Sequence, residues 1–223
     1  MGDLLVTGAA GGIGSAVVSA LEAAGHQVTA LGRSLERLPG SARRIEADLS
    51  RPETLEAALG DLGDLDGVIH CAGVAHVAPV AEASVEVWTR TLAVNLASAA
   101  EITRLALPAL RRSRGHVVFV NATPGMHAVP RWSAFVGSKT ALRELADSLR
   151  EEEEPHGVRV TTVYPAATAT DHLRAIRAAF GRPYDPAACI QPASLAAMIV
   201  WLLAAPADSY PCELSVIPAP RSS

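Results

Sequence analysis

Near the start of the chain the run Thr7-Gly8-Ala9-Ala10-Gly11-Gly12-Ile13-Gly14 follows a short apolar segment, Leu4-Leu5-Val6, and precedes a helix-forming stretch. A glycine-rich turn between a strand and a helix constrains the fold more than any other feature here. Gly8 permits the tight turn, Gly12 lets the backbone approach a pyrophosphate, and Gly14 lets helix and strand pack closely. The first turn of the helix adds free amide N–H groups and the positive end of its dipole. A glycine pattern alone is weak evidence, but strand–loop–helix is the context in which it signifies a dinucleotide site.

Apolar runs and amphipathic stretches alternate along the rest of the chain, the pattern of a parallel sheet covered on both faces. Strands are expected at 3–7, 26–31, 43–47, 67–71, 116–121, 158–164 and 213–217. Helices are expected at 13–24 (closed by Gly25), 52–59, 85–110, 133–153 and 193–204, the third of them bending near the poor helix former Asn95. The stretch 165–192 reads as irregular and is expected to be the substrate lid. The fold class expected is α/β, a single-domain Rossmann-type doubly wound parallel sheet of about seven strands with helices on both faces, spanning 1–223.

A formal net charge of −4 and a pI near 6.0 argue against nucleic acid as a partner. Cys71, Cys189 and Cys212 have no pairing or ligand spacing, so neither a disulfide framework nor a metal site is expected, and reduced thiols fit a cytoplasmic protein. The longest apolar run, 195–205 between Pro192 and Pro206, is too short to span a bilayer, so no membrane is expected as a partner. The acidic run Glu151-Glu152-Glu153-Glu154 reads as a solvated helix end.

The end of the second strand selects the cofactor. An acid there would bind a ribose 2′-hydroxyl and repel a 2′-phosphate. This chain has Gly32, then Arg33 and Ser34, and the forked donor of Arg33 suits a phosphate. NADP(H) is therefore the expected cofactor.

The Gly8-x3-Gly12-x-Gly14 spacing resembles that of the short-chain dehydrogenase/reductase family, and the resemblance extends over nearly the whole chain. His70-Cys71-Ala72-Gly73 stands where that family has Asn-Asn-Ala-Gly, and Asp48-Leu49 where its adenine-contacting pair lies. Asn95 matches the family's helix asparagine, Ser138-Lys139 the end of its Tyr-x-x-x-Lys motif, and Pro165-Ala166 its Pro-Gly after the sixth strand. The resemblance implies that Thr7, Gly8, Gly12, Ile13, Gly14, Arg33, Asp48, Leu49, Ala72, Gly73, Lys139 and Pro165 bind the cofactor. It also implies that Lys139 holds the nicotinamide ribose and that Asn95 supports a proton relay.

The same mapping puts Phe135 at the family's catalytic tyrosine and Ala122 at its serine, in a register set by Lys139 behind Phe135 and Gly125 behind Ala122. Loss of a general acid costs about 10²–10⁴-fold in rate. Loss of an oxyanion donor costs about 10²–10³-fold more. Ordinary ketone reduction is therefore not expected. Thr123, His127 and Tyr164 are candidate replacement groups, with His172 a weaker fourth, and His127 is preferred because the loop after the fifth strand lines the substrate pocket in this fold.

Three readings remain open: a reductase of imines or activated double bonds, a non-redox cyclase, dehydratase or isomerase, and a non-catalytic nucleotide-binding protein. The small residues Ala166, Ala167, Ala169, Ala175, Ala178 and Ala179 suggest an apolar wall and a small-molecule substrate that is not strongly anionic. Leu92, Leu96 and Leu105 on one long helix, and Leu142, Leu145 and Leu149 on the other, are at helical spacing. With the family's habit of pairing these helices, they lead to the expectation of a homodimer or homotetramer.

Overall fold

A computed structural model of the chain describes residues 2–36, 38, 40–122, 126–206 and 208–220. Among them the strands are β1 (Asp3–Thr7), β2 (Gln27–Gly32), β3 (Arg43–Glu46), β4 (Gly67–His70), β5 (His116–Val120), β6 (Arg159–Pro165) and β7 (Glu213–Val216). All pair in parallel, in the order β3-β2-β1-β4-β5-β6-β7. The helices are α1 (Gly12–Ala23), α2 (Leu55–Leu59), α3 (Val85–Leu92), α4 (Ser98–Ser113), α5 (Ser133–Glu153), α6 (Asp171–Ala179) and α7 (Pro192–Leu203).

The central strands β1, β4 and β5 read as near-continuous apolar runs because both faces are covered, whereas the edge strands β3 and β7 are largely exposed. Every residue of β4 and β5 is buried. Alternate side chains feed two cores, as a period of two requires. Leu5, Val68, Val117, Phe119 and Val160 pack with Ile102, Ala106, Leu142 and Leu149 of α4 and α5. Leu4, Val6, Ile69, Val118 and Val163 pack with Val17, Leu21, Leu195 and Ile199 of α1 and α7. The strand order reverses between β1 and β4, so the carboxyl ends of these strands open the crevice in which such sheets bind ligands.

Two expected elements differ from the structure. The helix expected over 85–110 is interrupted by a π turn, Ala93–Ala97, between α3 and α4, and Asn95 is buried within it. The stretch 165–192 contains a helix. The Thr170 hydroxyl caps α6 by accepting from Leu173 N at 3.1 Å, and Leu173, Ile176 and Phe180 fall at helical spacing behind it. A parallel bridge between Thr168 and Ile190 ties the two ends of this segment together, with Ala169 N donating to Ile190 O at 2.8 Å.

The acidic helix end is not uniformly solvated. Glu153 is 2% exposed and accepts two hydrogen bonds from Arg111, at 2.9 and 2.7 Å, which tie the end of α5 to α4. These bonds hold the Glu153 carboxyl below its ordinary pKa of 4.5. A depressed carboxylate adds stability above its unfolded-state pKa and loses it as pH falls through the folded-state value. Arg111→Ala is expected to lower the unfolding free energy at neutral pH, by less than breaking a fully buried pair would because Arg111 is half exposed. Urea titrations across pH should show the deficit shrinking in acid. A deficit independent of pH would mean that lost packing, not the ion pair, is responsible.

Candidate active site and cofactor cleft

Gly8 adopts φ +64° at the end of β1, and a Cβ there would lie 2.7 Å from the Ala72 Cα in the loop after β4. A Cβ on Gly14 would run into the Gly8 carbonyl oxygen, and one on Gly12 would lie 2.7 Å from the Thr170 methyl. Glycine is thus required for close packing within the loop and against its neighbours. The Thr7 hydroxyl accepts from Ala72 N at 3.3 Å, which couples the β1 and β4 loops.

A cavity of about 310 Å³ runs from this loop over the end of β2. Gly8, Arg33, Asp48, Leu49, Ala72 and Gly73, all expected at the cofactor, line it together with Ser34 and Arg90. Asp48 is braced by Ser50, whose backbone N–H donates to it at 3.0 Å and whose hydroxyl donates at 2.8 Å. Those bonds first, and the charges of Arg33 and Arg90 after them, hold its carboxyl below the usual value. Arg90 was not expected. It lies on α3, far from Arg33 in sequence, and only the fold brings the two guanidinium groups to one cavity.

Asn95 joins three elements. Its Oδ1 accepts from Val74 N at 2.8 Å, and its Nδ2 donates to Val74 O and to Ser138 Oγ, each at 2.9 Å. Ser138 in turn donates to Phe135 O at 2.7 Å. Lys139 is buried beside this network and donates to Val120 O at 3.0 Å. A Cβ on Gly73 would lie 3.7 Å from Asn95 Oδ1 and 3.8 Å from Lys139 Nζ, so the lysine faces the β4 loop. Burial pulls the ammonium down to about 8. Cys71 is pushed up to about 12 by burial and is a neutral thiol there. His70, stacked on Phe119 at 4.9 Å and bonded to Thr103 at 3.0 Å, is driven down to about 3 by burial and is a neutral core residue.

A second cavity, about 300 Å³, lies between the ends of β5 and β6 and helix α6. Ile13, Asn121, Ala122, Phe135 and Pro165 line it. Phe135 is stacked on Trp132 at 4.3 Å, and Trp132 meets Phe180 of the α6 segment edge-on at 5.6 Å. Beside Lys139 the wall is therefore a phenyl ring and a methyl group, with no hydroxyl from either residue.

The candidate replacement groups separate clearly. His172 lines this cavity although the residue as a whole is exposed, and partial desolvation at the cavity wall, with the Lys139 charge second, holds its imidazole below the ordinary pKa. His127 is exposed and not part of the lining, although Met126 and Val129 beside it are. Tyr164 lies outside the lining and donates to Glu213 at 3.1 Å. Thr123 and Gly125 lie outside the described residues. Among the described residues no group of His, Cys, Asp and Glu forms a metal site, and no helix is long and apolar enough to cross a membrane.

Residues 3–180 match the family model for short chain dehydrogenase. L-xylulose reductase of Homo sapiens is 33% identical over 75% of this chain and 72% of that protein. Glycine betaine reductase ATRR of Emericella nidulans is 31% identical over 96% of this chain, which spans 18% of that much longer protein. Among solved structures, a metagenomic short-chain oxidoreductase in complex with NADP superposes with a TM-score of 0.83 at 26% identity, covering 98% of this chain and 97% of that one. The family model covers well over half of the sequence, and the glycine loop, the sheet order and the lysine helix agree with it: the chain belongs to the short-chain dehydrogenase family.

Proposed function

We propose that this chain is an NADP(H)-binding oxidoreductase whose site delivers hydride to substrates that need no phenolic proton donor, such as an iminium ion or an activated carbon–carbon double bond. The observation that carries this reading is the contrast at α5. Asn95 is bonded to Val74 and Ser138 and Lys139 to Val120 O, whereas Phe135 and Ala122 present only apolar surface to the adjoining cavity. In this reading Phe135 stands at the family's tyrosine position and Ala122 at its serine position.

The cleft fits a pyridine dinucleotide. Gly8, Gly12 and Gly14 let the loop pack closely on itself, the β4 loop and Thr170, and the start of α1 offers free amide groups beside it. Thr7 and Ile13 flank that loop. Asp48 and Leu49 suit the adenine end, Ala72 and Gly73 the middle and Pro165 the nicotinamide end, with Lys139, which lines neither cavity, close to Gly73. The bound dinucleotide supplies the hydride. Phe135, Trp132 and Phe180 exclude water from the acceptor. An iminium carbon that gains hydride becomes a neutral amine and takes no proton. A reduced activated double bond does need one, and His172 is the described imidazole on the cavity wall, with water as the ultimate source.

Arg33, Ser34 and Arg90 support the phosphorylated cofactor, because two guanidinium groups and a hydroxyl meet where a 2′-phosphate belongs and Gly32 supplies no opposing acid. NADPH is expected to bind more tightly than NADH in fluorescence titrations, and Arg33→Ala is expected to remove most of the preference. Equal affinities in the unmodified protein contradict the assignment.

The variant carrying Phe135→Tyr and Ala122→Ser is expected to lose activity on iminium or enone substrates and to gain little ketone reduction. Its new oxygens enter an apolar wall without arranged partners. A rise in ketone turnover of two or more orders of magnitude would instead mark a decayed ketone reductase.

We also infer that the chain is a homo-oligomer. Leu92 is exposed and Leu96, Leu105 and Leu145 are half-buried, while Leu142 and Leu149 belong to the core and are not available to a partner. Light scattering at micromolar concentration should give a multiple of the chain mass. A monomer contradicts this.

A further inference from the structure

The α6 side of the second cavity carries charge that its apolar floor does not explain. Arg177 and Arg182 both line the cavity, and no acidic residue does. Among the described residues neither is held in an ion pair. The exposed acid at the start of the helix, Asp171, is paired with Arg174 at 3.0 Å, away from both.

The two guanidinium groups are also positioned by the fold. The Arg182 amide donates to Arg177 O at 2.8 Å, and the Arg177 guanidinium donates to Pro183 O at 3.2 Å, which folds the chain back at the end of α6. The Arg182 guanidinium lies 5.4 Å from the Phe180 ring centroid, and Phe180 is itself part of the lining. Arg131, whose guanidinium is 5.6 Å from the same ring, donates to Ala179 O at 3.1 Å and pins α6 to the start of α5. Ring contact and backbone bonds reduce the freedom that a long cationic side chain loses on binding.

We propose that the substrate of this site bears a carboxylate at the end remote from the reacting atom, attached to a flat or cyclic apolar body. This deepens the oxidoreductase reading and rests on it for the position of the reacting end. Trp132, Phe135 and Phe180 form an aromatic shelf for the body. The cavity, about 300 Å³ and bordered by the Ile13 and Pro165 assigned to the cofactor, leaves room for one small ring rather than a long chain. The reacting end lies near His172 at the first turn of α6, and Arg177 stands one to two turns further on, about 7.5 Å along the axis. The small alanines of this segment suggested a substrate that is not strongly anionic. The arginines, which flank the cavity only once α6 is folded, reverse that expectation.

The test is a matched pair of probes, 3-phenylpropanoate and its isosteric amide, titrated against the purified chain by isothermal calorimetry. The acid is expected to bind about tenfold or more tightly than the amide, and the preference should weaken as salt is raised because the arginines are solvent-facing. The variant carrying Arg177→Gln and Arg182→Gln should bind both probes alike. Equal binding of the two probes by the unmodified chain overturns the proposal, as does a preference that survives in the double variant or no binding of either at millimolar concentration.

Titration with NADPH separates this from the parent reading, since neither arginine lines the cofactor cavity. The double variant should therefore bind NADPH as the unmodified chain does. Failure of the unmodified chain to bind NADPH would defeat the oxidoreductase reading while leaving an acid preference to be explained on its own. A double variant that alone loses NADPH binding overturns the assignment of these arginines to the substrate end.

Discussion

The carboxamide of Asn95 is the joint on which the site depends. It sits in a π turn, where the helix is widened and a side chain can be turned inward, and it satisfies both backbone groups of Val74 together with the Ser138 hydroxyl. Three segments distant in sequence are thereby fixed to one another: the interrupted helix, the loop after β4 and the lysine-bearing helix. Without it the Val74 amide and carbonyl would be left without their side-chain partner, at a cost of about 1–3 kcal/mol for each buried group left unpaired. The position of Lys139 relative to Gly73 follows from this joint and from the bond to Val120 O.

Around that frame the two cavities differ in chemistry. The cavity beside the glycine loop is polar and cationic, with Arg33 and Arg90 beside a braced Asp48. The other side is an aromatic shelf with arginines at its α6 end. Phe135 and Ala122 give this second cavity a phenyl and a methyl wall, next to the helix that carries Lys139.

Most of the sheet was legible because strands buried on both faces leave runs of apolar residues, as in Gly67–His70 and His116–Val120. The glycine-rich turn between β1 and α1 was legible because it rests on local spacing. Helix α6 was missed although Thr170, Leu173, Ile176 and Phe180 carried its signal, since the surrounding alanines and prolines masked a single apolar stripe. Arg90, Arg177 and Arg182 could not be assigned locally. Each acquires its place from a tertiary contact, and His127, favoured by its loop, faces solvent instead. Glu153 shows the same limit: a residue in a run of four glutamates is buried because Arg111 of another helix reaches it.

The central claim is hydride delivery to an acceptor without a phenol. It is tested most directly by incubating the protein with NADPH deuterated at C4 and a panel of cyclic iminium ions, enones and ketones, followed by mass spectrometry of the products. The account predicts deuterium on the former iminium or alkene carbon, matched by oxidised cofactor, and negligible label in alcohols from ketones. Labelled alcohols formed at rates comparable to the other products, or no label in any product, would contradict it.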